Sequence, residues 1–321
     1  MLAGLFKGKN IYRIIVTIIV LVALFTLPQW AKEYYVLIGM LICLYFAVGS
    51  MWNLLLGYAG LLSLGNQLFI GLGGYALAVT SNFYGIPIMG GLLIGAVISA
   101  IMAALQALVF FRMKGMYFAI ASWITAEAFI IIFANWTYVQ GGIGMCGKAA
   151  YGLGTADIYY MALILAVCVF VLVLVLLRSK LGLGLMAMRD SYEAAGTVGV
   201  HLFKSRMITF VIAGFVTGLS GGVIYLQQVS IAPKSGFSIA WTVAIVFVVV
   251  IGGIGTVAGP IAGAIIYVIL NQYLSAFPGY SMIILGAIAV AVILTAPKGV
   301  IGTLQQRLGF ELLSPRRALD P

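Results

Sequence analysis

The chain has 321 residues, 64% hydrophobic and only 7% charged, with a formal net charge of +10. An ordinary soluble domain carries about 25% charged residues, so a water-facing surface and any large soluble domain are excluded. With about 20 apolar residues per crossing, the composition predicts an all-α integral membrane protein, a polytopic bundle of about ten transmembrane or re-entrant helices in a single domain over 1–321.

In chain order the apolar runs are Ile14 to Leu27, Val36 to Leu56, Leu61 to Val79, Ile88 to Phe111 and Met116 to Ala134, then Ile158 to Leu177, Met207 to Gln227, Trp241 to Ile254, Ile261 to Phe277 and Met282 to Ala296. The basic start (Lys7, Lys9, Arg13) lacks a small-x-small cleavage pattern after its apolar run and reads as an uncleaved first span. Only Gly57 to Gly60 separates the second run from the third, and Gly255 to Pro260 the eighth from the ninth, so a broken or re-entrant segment is expected at either place.

Alternating crossings place Lys7, Lys9, Arg13, Arg112, Lys114, Arg178, Lys180, Arg189, Lys204, Arg206, Lys298, Arg307, Arg316 and Arg317 on one side and Lys32, Lys148 and Lys234 on the other. The basic bias of short loops makes the first side cytoplasmic, with both termini there. The charge is then an insertion signal with attraction to anionic lipid, and no pattern calls for nucleic acid. Small residues recur every fourth position at Gly214, Gly218 and Gly222 and at Gly255, Gly259 and Gly263. Such faces let helices approach closely, either between subunits or within one.

Chemistry is sparse. Gly142 to Lys148 matches the first seven positions of a phosphate-binding P-loop, but Ala149 replaces the Ser or Thr that would hold magnesium, and the segment falls on the external side. Any ATP hydrolysis must reside on another polypeptide. Seven acids and one histidine, His201, form no catalytic set, and Cys43, Cys146 and Cys168 have no metal-ligand spacing. The reading is a non-enzyme without cofactor, metal or disulfide.

The cytoplasmic loop 178–206 carries Arg189, Asp190 and a Glu-Ala-Ala-x-x-x-Gly run at Glu193, Ala194, Ala195 and Gly199. The pattern resembles the signature of permeases of ATP-binding-cassette importers, in which a short helix docks on the ATPase; a solvated loop helix is the alternative. Asn53 to Tyr75, Tyr117 to Glu127, Gly141 to Gly144, Ser179 to Gly199 and Gly252 to Gly263 together resemble, in the expected order, the permeases of the branched-chain amino acid family, and specifically the second of its two paired types. Two departures stand out: Asn66 where the family usually has histidine, and Gly73-Gly74-Tyr75 where it has Gly-Ala-Tyr.

The resemblance implies a prokaryotic plasma-membrane permease, multi-pass and in the inner membrane of a Gram-negative cell, that imports leucine, isoleucine and valine. Its partners would be a second related permease, two ATP-binding-cassette ATPases and an extracytoplasmic binding protein. Relatives for urea or short amides stay open as an alternative. So do an ion-gradient-driven secondary transporter and a channel or structural subunit.

Glu127 is an acid well inside a span, where a charge is expensive: it either faces the path or bonds two helices together. Asn53, Ser63, Asn66, Gln67 and Ser122 are further path candidates, with interhelical hydrogen bonding as the alternative.

Overall fold

The structure, a computed structural model, describes residues 22–308 apart from Lys114, Val198, Pro278, Pro297 and Lys298. The expected first span therefore lies largely outside the described residues, as do Lys7, Lys9, Arg13, Arg316 and Arg317 and the side chains of Ala194 and Arg307. A helical stretch at 22–30 leads to α1 (Glu33–Asn53), which continues as a π-helical turn over Leu54–Tyr58. Then follow α2 (Asn66–Phe83), α3 (Ile88–Phe110), α4 (Met116–Asn135), α5 (Thr155–Arg178), α6 (Lys180–Asp190) and α7 (Tyr192–Thr197). The carboxy-terminal half holds α8 (Leu202–Gln228), α9 (Ile239–Gly252), α10 (Gly259–Leu274), α11 (Ser281–Thr295) and α12 (Gly299–Leu308).

Among the described residues seven helical segments are long and apolar enough to cross a membrane. They contain α1, α3, α4, α5, α8 and α9, and the greater part of α11. At 1.5 Å per residue α10 is about 24 Å long, short of a full hydrocarbon core. α2 starts at Asn66, five residues later than the apolar run that marks it, and opens with two polar residues. It tolerates them because it is enclosed by α3, α4 and α8: Asn66 to Ala78 are all buried.

Glycine sets how tightly that enclosure closes. A Cβ on Gly73 of α2 would collide with the carbonyl of Gly218 on α8, and one on Gly95 of α3 would stand 2.9 Å from the Gly73 carbonyl. The Gly214, Gly218 and Gly222 face meets Ala103, Ser99 and Leu92 of α3, so this stripe packs helices of one chain. Gly263 of α10 likewise lies against the Val248 carbonyl of α9. Gly74, the departure from the family pattern, sits where a methyl group would press into the Tyr225 ring.

The loops gather at two ends. At one, β1 (Met145–Cys146) pairs antiparallel with β2 (Ser230–Ile231), and Asn82 bonds the Cys146 carbonyl at 2.7 Å and the Lys148 N–H at 2.8 Å. At the other, Phe111 stacks edge-on to Phe203, Arg189 reaches Gly57, and Gly299 abuts Gly253. Of the described basic residues, Arg112, Arg178, Lys180, Arg189, Lys204 and Arg206 belong to the second end and Lys32, Lys148 and Lys234 to the first.

Candidate translocation site

Both interrupted helices expected from sequence are present, and they meet. After the π turn, the Leu61 N–H donates to the Leu55 carbonyl at 2.9 Å and Trp52 Nε1 donates to the Ser63 carbonyl at 2.7 Å. The chain thus folds back along the helix it has just left. The second interruption runs from Gly253 to Ala258, between α9 and α10. Asn53 joins the two: its Nδ2 donates to the Thr256 carbonyl at 2.9 Å, and its Oδ1 accepts from the Gly255 N–H at 2.8 Å. These bonds replace main-chain partners that a broken helix gives up, which a low-dielectric setting demands. Glycine is required here twice over, since a Cβ on Gly57 would lie 2.6 Å from the Gly255 nitrogen and Gly255 adopts φ +73°.

Arg189 at the end of α6 enters the same junction. Its Nη1 donates to the Gly57 carbonyl at 3.0 Å, while Asp190 pairs with its Nη2 at 2.9 Å. The Asp190 pair is exposed and contributes little to stability. The bond to Gly57 does more, because it ties the loop to the broken end of α1. In α7, Ala195 is 2% exposed and faces its own chain, whereas Glu193 and the following Gly199 are exposed. The Arg206 guanidinium lies 4.2 Å over the Tyr192 ring and pins the start of α7.

The other sequence candidates sit deeper. Ser122 Oγ accepts from the Leu64 N–H at 3.1 Å and donates to the Ala119 carbonyl at 2.7 Å. Ser63 and Asn66 are buried beside it in the chain segment that opens α2. Gln67 Oε1 accepts from the Thr242 hydroxyl, linking the first turns of α2 and α9, and Gln67 Nε2 is buried without a protein partner. Glu127 is half-buried on α4, and Trp123 Nε1, one turn earlier on the same helix, donates to its carboxylate at 3.0 Å. The structure therefore brings Asn53 and Arg189 together, groups Ser63, Asn66, Gln67 and Ser122 around the start of α2, and leaves Glu127 apart.

A cavity of about 200 Å³ opens between α1, α8, α9 and α10, with Ile70 of α2 at its side. Its lining includes Tyr45, Gln227, Trp241 and Asn271, none of them a sequence candidate. The sequence signal was weak: Gln227-Gln228 is an adjacent amide pair closing an apolar run, and Asn271 lies late in another. Just beyond that pair, Val229 adopts φ +64°, which a β-branched residue rarely does, and the Gly147 N–H holds its carbonyl at 2.8 Å.

The family described as branched-chain amino acid transport system permease component matches residues 34–293. The high-affinity branched-chain amino acid transport system permease protein LivM of Salmonella typhimurium is 25% identical over 295 residues, covering 83% of this chain and 69% of that protein. LivM of Escherichia coli is 26% identical over 301 residues, with 84% and 71% covered. A probable branched-chain amino acid transport permease protein, LivH of Methanocaldococcus jannaschii, is 26% identical over 138 residues, 40% of this chain and 43% of that protein. No solved structure matches significantly.

Proposed function

The chain belongs to the family of branched-chain amino acid transport permeases, and from that premise we propose that it forms half the membrane path of an ATP-driven importer of leucine, isoleucine and valine. It is a multi-pass membrane transport component and not an enzyme. The far greater coverage of the LivM relatives than of LivH supports its reading as the second of two paired permease types. The complete assembly would add a second related permease, two ATP-binding-cassette ATPases and an extracytoplasmic binding protein. Ten crossing or re-entrant segments with both termini cytoplasmic agree with the way the described basic residues divide between the two ends.

The observation that carries the mechanism is the tie from the loop 178–206 into the broken helices. Glu193 and the exposed side of α7 would meet the ATPase, with charge fixing the register. When ATP binding draws the ATPases together, displacement of α6 and α7 is passed by Arg189 to the Gly57 carbonyl. The Asn53 clamp passes it on to Gly255 and Thr256. Interrupted helices are the parts of a membrane bundle that rearrange with few side-chain changes, because their main-chain bonds are already supplied by side chains.

Purification of this chain from mild detergent, identification of its companions and an uptake assay in proteoliposomes test the reading. Co-purifying P-loop ATPases and ATP-dependent uptake of the three branched-chain amino acids are expected. Uptake by this chain alone on an ion gradient would overturn it, and uptake of urea or short amides instead would move the substrate within the family.

A further inference from the structure

We propose that the cavity between α1, α8, α9 and α10 is the site that holds the transported amino acid, its aliphatic side chain downward and its charged α-carbon groups at the rim. The proposal rests on the importer reading above and adds to it the place and polarity of binding.

The floor of the cavity reaches mid-membrane depth, and its rim extends to Gln227 and Gln228 at the end of α8. Leu44 and Val48 form part of its floor, and they fall at the centre of the 26-residue segment Glu33–Tyr58. Ile70, Ile224 and Ile245 complete that floor, all buried. With Leu41, six aliphatic side chains line this one small space and are chemically suited to a branched hydrocarbon side chain, and about 200 Å³ lies below the roughly 300–1,000 Å³ of a drug-sized pocket.

The rim differs in kind. Tyr45 and Trp241 stand with ring centroids 6.2 Å apart, and both line the cavity. Their faces attract an ammonium group. The Gln227 and Asn271 amides supply donors for a carboxylate and acceptors for an ammonium. No lining residue is ionised at neutral pH, so a zwitterion of no net charge is favoured over a cationic or anionic amino acid.

α2 begins beside this space directly after the first interruption, and α9 begins there as well, its own interruption lying at its other end. Ile70 lies one turn beyond Gln67 on α2, and Ile245 one turn beyond Thr242 on α9, and the Gln67–Thr242 bond joins the two first turns. The first turn of α2, which starts after a break, can present main-chain polarity to a charged solute. Gln67 Nε2, one turn before the cavity-lining Ile70, is buried without a protein partner.

The test uses the complete reconstituted importer and radiolabelled leucine, valine and phenylalanine. Ile245→Phe fills the floor, and Gln227→Ala removes a rim amide; each is expected to raise the KM for leucine by about tenfold or more. Ile245→Ala enlarges the floor and is expected to raise phenylalanine uptake relative to valine by a similar factor, a gain that damaged folding would not produce. Ile265→Ala, on the exposed side of α10, serves as the control. Wild-type import of leucine with unchanged KM and selectivity in all three cavity variants would overturn the cavity site alone. A wild-type importer that carries none of the branched-chain amino acids would overturn the functional reading on which it rests.

Discussion

Asn53 was legible from sequence as a path candidate and Arg189 as a coupling residue, and in the structure both reach the junction of the two interruptions. Asn53 is buried and bonded at both ends of its amide to the main chain of the opposite interruption. Asn53→Leu would leave a partly buried N–H and C=O unpaired at a cost of about 1–3 kcal/mol each. We expect a lower melting temperature in detergent and uptake falling further than ATPase activity; unchanged stability would mean that water replaces the amide. Arg189→Lys keeps the charge and loses the planar fork that reaches Gly57 and Asp190 together. The expected result is a higher ratio of ATP hydrolysed to substrate moved, measured in proteoliposomes. Glu127→Gln isolates charge from hydrogen bonding, since a glutamine oxygen still accepts from Trp123 Nε1. Impaired uptake with normal membrane insertion is expected, and wild-type uptake would remove Glu127 from the path.

At the level of elements, the glycine-lined crossing of α2, α3 and α8 has no room for a methyl group. Gly73→Ala should lower the yield of folded protein strongly, because backbone rather than a mobile side chain is in the way. Gly286→Ala on α11, with nothing within 4 Å, should be neutral or slightly stabilising through helix propensity. Size-exclusion recovery of the two variants compares them directly. In the loop, Glu193 is exposed at the first turn of α7, so Glu193→Arg should weaken ATPase association and leave the permease folded. Gly199 is a poorer probe, because its φ of +84° strains any substituted residue whatever the partner does.

For the molecule as a whole, burial divides the helices by what they face. The segments through α1 and α8 are 61% and 67% buried within the chain, while those through α4 and α11 are 28% and 12% buried and leave apolar faces outside the chain's own packing. Orientation can be read with one residue. Cys146 is exposed in β1, whereas Cys43 is buried and Cys168 lies within α5. With Cys43→Ser and Cys168→Ser in place, a membrane-impermeant maleimide should label intact cells at Cys146. Labelling only of inside-out vesicles would reverse the assigned orientation.

Composition and periodicity alone determined that this chain is a bundle of apolar helices, where most of them begin and end, and where two of them break. Lipid solvent leaves few alternatives, and glycine clusters interrupt a helix through local conformation. The family was legible for the same reason, since its motifs are local strings such as Gly252 to Gly263. The meeting of the breaks through Asn53, the inward reach of Arg189 and the cavity under Trp241 and Gln227 were decided only by tertiary structure. Asn53 and Thr256 are 203 residues apart, and a string of residues carries no information on which of its distant polar groups will complete each other's hydrogen bonds once packing brings them together.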